Sequence, residues 1–299
     1  MPINRVAVLI TSFNRRESTL KSLAALHRQR TSRGIEMSVF LVDDGCTDGT
    51  GEAALSRFSG IRVLRGDGKL FWNGGMRMAF AAALRESYDA YLLLNDDTVL
   101  CADALERMSD CAEAREASGK PSIVVGSTRS PLTGEHSYGG MALRTKGLAI
   151  VLEKVPPHPS HVVVCDTMNG NVVLIPRQIA EIVGNLEERF HHQFGDIDYG
   201  LRAKKSGFAV VIAPGYVADC LSNSRTGTWR DPRASFKQRW ISLISPKGVP
   251  AREWVLFTRR HYGWRWFYYS LSPYVKTILF GMLGPRNLQD VNQPSSARS

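Results

Sequence analysis

Cysteine is scarce and scattered in this 299-residue chain: positions 46, 101, 111, 165 and 220 form neither a CxxC pair nor a Cys/His cluster. That excludes a disulfide framework and a structural zinc site of ordinary spacing, and it implies reduced thiols in a cytoplasmic protein. The first apolar run, "VAVLI", is too short for a signal-peptide core and reads as a strand, so the expectation is of a chain that is not exported. There is no internal repeat and no low-complexity linker, which excludes solenoid and flexibly tethered architectures. Acid is missing from one region only. Residues 225 to 299 hold 13 Lys+Arg against 3 Asp+Glu, whereas residues 1 to 224 hold 25 of each. The whole net charge of +10 therefore lies in the tail, together with five of the six tryptophans, at 229, 240, 254, 264 and 266. No recognised nucleic-acid motif accompanies that charge, and nucleic acid is not expected as a partner.

With 43% hydrophobic residues the chain can bury one large core, and one main domain plus an appendage is expected. The first 120 residues alternate two periodicities. "RVAVLIT" is a continuous apolar run, as in a parallel strand covered on both faces. Asn14 then stands three positions before Glu17, the spacing of a capping box, and Leu20, Leu23, Ala24 and His27 share one helix face. "MSVFLV", "IRVL" and "YLLL" supply further strands, and "MAFAAALRE" a helix between the last two. Strand and helix in this rhythm predict an α/β fold with a parallel, doubly wound sheet. After residue 120, "HVVVCD" and "NGNVVLIP" add strands without long helices between them, which predicts a mixed extension of the sheet. "GDIDYGLRAKKSGF" reads as a helix stopped at Gly207.

In such sheets ligands bind at the carboxyl ends of the strands, and two acidic turns fall there: Asp43-Asp44 and Asp96-Asp97. The second pair is either a solvated acidic turn capping a helix that starts near Ala102, or a handle for Mg²⁺ or Mn²⁺ and a nucleotide, since hard cations take carboxylate oxygens plus phosphates. "VDDGCTDGT" is either an Asx-rich turn with Asp48 as an N-cap, or a set of carboxylates for a pyrimidine N–H or a ribose hydroxyl. "GKLFWNGGMR" reads as a glycine-rich turn or as a loop that closes over a ligand, with Arg77 set to meet a diphosphate. Asp196 and Asp198 stand two apart on one helix and cannot share a face. Both suit a helix N-terminus; in the functional reading Asp196 is a general base and Asp198 a structural hydrogen-bonding group.

"VLITSFNRRESTLKSLAAL", "FLVDDGCTDGT", "LLLNDDT", "GNVVLIPR" and "FGDIDYGLRAKKSGF" occur in an order that resembles the inverting, nucleotide-sugar-dependent glycosyltransferases of the GT-A fold, family 2, over roughly residues 5 to 215. The resemblance implies that Thr11, Phe13 and Asp44 meet the donor nucleotide, that Asp96 lies near the ribose, that Asp97 ligates Mg²⁺ or Mn²⁺, and that Asp196 is the base. Two departures stand out: Gly195 where the family has an acid before its catalytic Asp, and an adjacent "NDD" where a spaced DxD is usual. The implied reaction is a single displacement in which a deprotonated acceptor hydroxyl attacks the anomeric carbon opposite a departing nucleoside diphosphate. The expected division is a catalytic domain over 1 to 224, with a nucleotide half to about 120 and an acceptor half beyond it, and a basic aromatic segment over 225 to 299.

Within that segment, residues 254 to 284 are interrupted by Pro273 and Lys276, so no spanning helix is expected. Arginines interleaved with Trp and Tyr suit an anionic headgroup layer; an aromatic helical cap on the core is the alternative. The expectation is thus a peripheral glycosyltransferase at the inner membrane face, moving a hexosyl or deoxyhexosyl group from a nucleoside-diphosphate sugar to a lipid-linked, bacterial-type surface glycan. A sugar-1-phosphate nucleotidyltransferase would place a glycine-rich loop after its first strand, which "TSFNRRES" lacks, and a non-catalytic nucleotide-sugar scaffold would have no use for Asp97 and Asp196.

Overall fold

The computed structural model describes residues 2–146 and 149–283, so the last 16 positions of the basic segment lie outside the described residues. The chain divides into two compact units, Met1–Ser222 and Asn223–Ser299. In the first, β1 (Arg5–Ser12), α1 (Arg16–His27), β2 (Glu36–Asp43), α2 (Thr50–Arg57), β3 (Ile61–Arg65), α3 (Phe71–Ala83) and β4 (Ala90–Leu94) follow one another. Then come β5 (Val99–Leu100), α4 (Ala104–Ala117), β6 (Ser122–Arg129), β7 (Gly140–Lys146), β8 (Ala149–Lys154), β9 (Val163–Cys165), β10 (Thr167–Met168), β11 (Val172–Pro176), α5 (Arg177–Val183), α6 (Gly195–Lys205) and β12 (Ala209–Asp219).

Among the described residues the main sheet runs β3-β2-β1-β4-β11-β6-β12-β5, with β9 also on β12. β1 to β4 pair in parallel, β11 is antiparallel to both β4 and β6, and β12 is parallel to β6. The sheet is therefore mostly parallel, with its antiparallel members in the second half, as the loss of intervening helices after residue 120 requires. β10, β7 and β8 form a separate small sheet.

Side chains of β1 alternate between two cores, as a period of two dictates. Val6, Val8 and Ile10 meet Leu20, Leu23 and Leu26 of α1 and Met108 of α4 on one face. Ala7 and Leu9 meet Met76 and Phe80 of α3 and Tyr199 of α6 on the other. Leu9 and Leu23 are fully buried, and truncating either to Ala would cost about 2–5 kcal/mol. α1 begins at Arg16 without a side-chain cap, because Asn14 adopts a left-handed conformation (φ 51°) and turns its side-chain oxygen to the Thr47 amide, 2.7 Å away. Asp48 instead ties the two loops together, accepting the amides of Arg16 and Thr50 at 2.9 and 3.1 Å.

The second unit packs α7 (Phe236–Ile244), α8 (Ala251–His261) and α9 (Trp266–Leu283), with Gly263–Arg265 as a single tight turn between the last two. Ser235 and Gln238 form a capping box on α7. Leu243, Val249, Phe257 and Tyr262 are buried, and Trp254 stacks on Phe257 at 5.8 Å. α9 continues through Pro273 rather than ending there. Proline has no N–H, so the carbonyl of Tyr269 loses its helical donor. The indole N–H of Trp254 takes that carbonyl at 2.8 Å, and the Ser272 hydroxyl approaches it at 3.1 Å. No described helix is long and apolar enough to cross a membrane.

This compensation predicts a coupling. Trp254→Phe removes the indole donor and is expected to cost about 1 kcal/mol; Pro273→Ala restores a backbone donor, so the loss should shrink in the double variant. Urea denaturation of the four proteins measures the coupling, and strict additivity would contradict the exchange of donors.

Candidate active site

β1 lies between β2 and β4, so the ends of these three strands bring Thr11, Phe13, Asp44 and Asp96-Asp97 to one edge. The Asp44 amide donates to the Ser12 carbonyl at 3.0 Å, which closes the first two turns on each other. Thr11 is buried with its hydroxyl against Gly75 of α3, whereas Phe13 is 52% exposed with its ring edge facing Gly68. An exposed ring beside glycine backbone is a surface on which a planar base can stack. Asp44 is only 3% exposed, and its carboxylate accepts the amides of Gly68, Leu70 and Phe71 at 2.9, 3.1 and 3.2 Å. It fastens the approach to α3, and in this conformation offers a ligand little free oxygen. Asp43 is fully buried and pairs with Arg65 at 2.6 Å.

The loop expected to close over a ligand is, from Phe71 onward, the start of α3. The Asn73 amide group donates to the carbonyls of Glu187 and Phe190 at 2.9 and 2.6 Å and pins that start. Arg77 consequently stands about 9 Å along a helix from residue 71 instead of on a free loop. Its guanidinium donates to the Leu186 carbonyl at 3.1 Å and pairs with Glu188 at 3.0 Å. In this conformation Arg77 is thus engaged by Leu186 and Glu188.

Asp96 and Asp97 are joined by a cation. Arg15 Nη1 donates to Asp96 Oδ1 at 3.1 Å and Nη2 to Asp97 Oδ2 at 2.8 Å. Burial pushes the Asp96 carboxyl up to about 6, with Arg15 and a Ser12 hydrogen bond pulling it down and the Asp97 charge adding to the rise. β12 pairs antiparallel with β5 and so delivers Cys220 Sγ to 3.6 Å from Asp97 Oδ1. Burial holds that thiol at about 12, so it is a neutral S–H donor rather than a thiolate ligand.

Asp196 arrives from the other half of the chain. β11 opposes β4 with Val172 facing Leu94, and the Asn95 amide donates to the Asn171 carbonyl at 3.0 Å. The next residue back, Gly170, donates its amide to Asp196 Oδ2 at 2.8 Å; Ile197 donates to Oδ1 at 2.8 Å. Burial raises the Asp196 carboxyl, and these two amides together with its own backbone amide only partly oppose it. Among the described residues no Lys or Arg pairs with it. Asp198 differs in kind: fully buried, it pairs with Arg202 at 2.8 Å one turn on, and Arg202 also donates to the Val183 and Asn185 carbonyls.

Trp72 joins the two acidic places. Its indole N–H donates to Asn95 Oδ1 at 2.7 Å, and its six-membered ring lies so close over Gly170 that a Cβ there would collide with it. Among the described residues three non-glycines have positive φ, Asn14, Phe71 and Phe194, and each stands at the entry to a helix on this edge. Left-handed backbone costs such residues on the order of 1–2 kcal/mol and concentrates where geometry serves function. Sequence reasoning missed Arg15, Trp72, Asn95 and Cys220. One signal was available: Trp72 is the one tryptophan outside the tail.

The donor set fits a hard divalent cation. Two carboxylates already hold a positive group between them, both offer oxygen, and no described cluster of three or more His, Cys, Asp or Glu forms an all-protein cage. Mg²⁺ and Mn²⁺ sites of this kind combine one or two carboxylates with water and phosphate oxygens.

Residues 7–156 match the family model described as glycosyl transferase family 2. Two curated relatives, the N-acetylglucosaminyl-diphospho-decaprenol L-rhamnosyltransferases of Mycobacterium tuberculosis strains CDC 1551 / Oshkosh and ATCC 25618 / H37Rv, are 24% identical over 255 residues, covering 76% of this chain and 76% of theirs. Among solved structures, the mannosyltransferase PcManGT of Pyrobaculum calidifontis in complex with GDP-Man and Mn²⁺ is similar with a TM-score of 0.54 at 12% identity, covering 95% of this chain and 71% of that one. The chain belongs to glycosyl transferase family 2, and its sheet is that of a GT-A glycosyltransferase.

Gly195, the departure from the family's acidic position, has a packing cause. A Cβ at 195 would fall on Asn73 Oδ1, a buried oxygen without a hydrogen-bond partner. Gly195→Ala should therefore lower stability by about 2 kcal/mol, although Ala is the better helix former by about 1 kcal/mol. Equal or higher stability in denaturant titration would show that Asn73 gives way.

Proposed function

We propose that this glycosyltransferase moves a hexosyl or deoxyhexosyl group from a nucleoside-diphosphate sugar to a hydroxyl of a lipid-linked glycan, with inversion at the anomeric carbon. One observation carries the reading: the β4–β11 pairing sets the Asp96-Asp97 pair and Asp196, which pairs with no Lys or Arg among the described residues, at one end of one sheet. Asp196, raised by burial and held by two amides, is the base that takes the acceptor proton. Asp97 is the metal ligand, Asp96 lies beside the ribose, and Phe13 and Thr11 line the base. Asp44 acts on the nucleotide through the 68–71 backbone it holds. When bound, a divalent cation would offset charge on the departing diphosphate. The nucleotide half is residues 1 to about 120, and the acceptor half extends to 224. The two mycobacterial relatives are named for a diphospho-decaprenol acceptor and PcManGT holds a nucleotide sugar, which supports a lipid-diphosphate-linked acceptor in surface-polysaccharide synthesis and a nucleoside-diphosphate donor. Family membership weighs against the nucleotidyltransferase.

The tail reading is peripheral contact with an anionic membrane at the cytoplasmic face; five free thiols fit that compartment. Phe267, Leu271, Val275 and Leu279 recur at helical spacing along α9 and are 65%, 55%, 48% and 48% exposed, while Trp264 just before it is 73% exposed. Arg265 lies over the Trp264 ring and Arg259 over Trp266, each at 5.8 Å, so cations stand beside the apolar stripe. Other aromatics, Trp254, Phe257 and Tyr262, pack on one another within the unit.

Two outcomes are expected. A panel of nucleotide sugars with Mn²⁺ should contain one that raises Tm; Asp196→Asn should bind that donor as wild type does but transfer about 10²-fold more slowly or worse. Because a base acts deprotonated and this one is raised, the acid limb of wild-type kcat/KM should lie above the ordinary carboxylate range; near-normal turnover in the variant would exclude Asp196. Separately, the full chain should co-sediment with vesicles containing acidic lipid and release as 1 M salt shortens the Debye length to about 3 Å. A Trp264→Ser, Phe267→Ser, Leu271→Ser variant should lose that binding, and salt-insensitive partition onto neutral and anionic vesicles alike would contradict the membrane reading.

A further inference from the structure

The Arg15 bridge is built rather than incidental. The left-handed turn at Asn14, fixed by its bond to the Thr47 amide, sets the direction in which residue 15 leaves β1. The carbonyl of Arg15 is then held by the Thr19 amide at 2.9 Å and by the Thr19 and Ser18 hydroxyls at 2.8 and 3.2 Å. With its backbone fixed, the side chain reaches across to the end of β4 and places one nitrogen on each carboxylate. Its side chain is 48% exposed and that of Asp97 24%, so the fork is held at a face that solvent reaches, whereas the Asp198 carboxylate that Arg202 holds is fully buried.

A guanidinium fork fits two carboxylate oxygens and two phosphate oxygens equally well, and its charge does not titrate away. It also cannot share the space between Asp96 and Asp97 with a second positive group at hydrogen-bond range, since like charges in a partly desolvated site repel strongly. We propose that Arg15 is an exchangeable counter-cation: it holds Asp96-Asp97 together before donor binding, yields them to the divalent cation, and then turns its fork onto the diphosphate of the donor. This rests on the reading of Asp97 as a metal ligand. Arg15 thus opposes metal alone and favours metal with diphosphate, which makes the two ligands enter together. Arg15 would then meet the diphosphate at the same strand-end edge that carries Asp96 and Asp97.

The test is calorimetry on the full chain at pH 8 with two probes, Mn²⁺ alone and inorganic pyrophosphate at saturating Mn²⁺, for wild type, Arg15→Gln, Arg15→Lys and Asp97→Asn, each checked by thermal melt. Arg15→Gln should bind Mn²⁺ alone about tenfold more tightly and pyrophosphate about tenfold more weakly, effects of opposite sign from one substitution. Arg15→Lys keeps the charge, so its Mn²⁺ affinity should stay near wild type while pyrophosphate binding weakens through loss of the fork. If Arg15→Gln folds and weakens both probes, or leaves Mn²⁺ affinity unchanged, the exchange is overturned and the metal site stands. If Arg15→Gln does not fold, an unweakened pyrophosphate affinity in Arg15→Lys overturns the exchange by itself. If wild type and Asp97→Asn do not differ toward Mn²⁺, the metal assignment falls, and the exchange with it.

Discussion

The site depends on the register in which β11 lies antiparallel against β4. Val172 faces Leu94, and this places Asn171 and Gly170 beside Asn95 and the acidic pair. A slip of one residue would turn Val173 and Ile175, now in the α3 and α6 core, toward the opposite face. The same slip would move the Gly170 amide away from Asp196. Buried apolar area on both faces thus holds the geometry of polar groups that could not hold it themselves. Trp72 reports the same constraint from the side, since it bonds Asn95 and covers Gly170 at once.

Within that frame four carboxylates meet different surroundings, and chemistry follows from the difference. Asp198 is fully buried and held by Arg202 in an ion pair of the sort whose disruption costs stability. Asp44 is satisfied by backbone amides and holds a turn. Asp96 is buried, raised and partly compensated by Arg15, whose side chain solvent reaches. Asp196 is raised by burial with only backbone amides opposing the rise, the condition of a group suited to accept a proton. Family membership names the class of reaction, and these environments support the proposed division of roles among the acids.

Much of this was legible in the chain itself. The strands that carry the acidic turns are continuous apolar runs because helices cover both faces, so their ends were marked by the first charged residues, Asp43 and Asp96. What sequence did not reveal was partner choice. Asn14 has the spacing of a cap but serves Thr47, because its backbone is needed in the left-handed region to aim Arg15. "NGG" read as a turn, yet Asn73 and Gly75 are helical: the small residue at 75 makes room for Thr11, and Asn73 faces Gly195 from more than a hundred positions away. Pro273 read as an interruption, and a tryptophan 19 residues earlier repairs it. Each of these depends on a contact distant in sequence, which local pattern does not encode.

The proposed reaction is a single displacement served by Asp97 and Asp196, with no covalent sugar intermediate. Its most direct test is the anomeric configuration of the product, read by NMR coupling constants from early turnover with the donor that stabilises the protein and an N-acetylglucosaminyl polyprenyl diphosphate acceptor. The account predicts a product linkage opposite in configuration to the donor's. Retained configuration would require a second displacement or a front-face attack, and would contradict Asp196 as a base acting on the acceptor in one step.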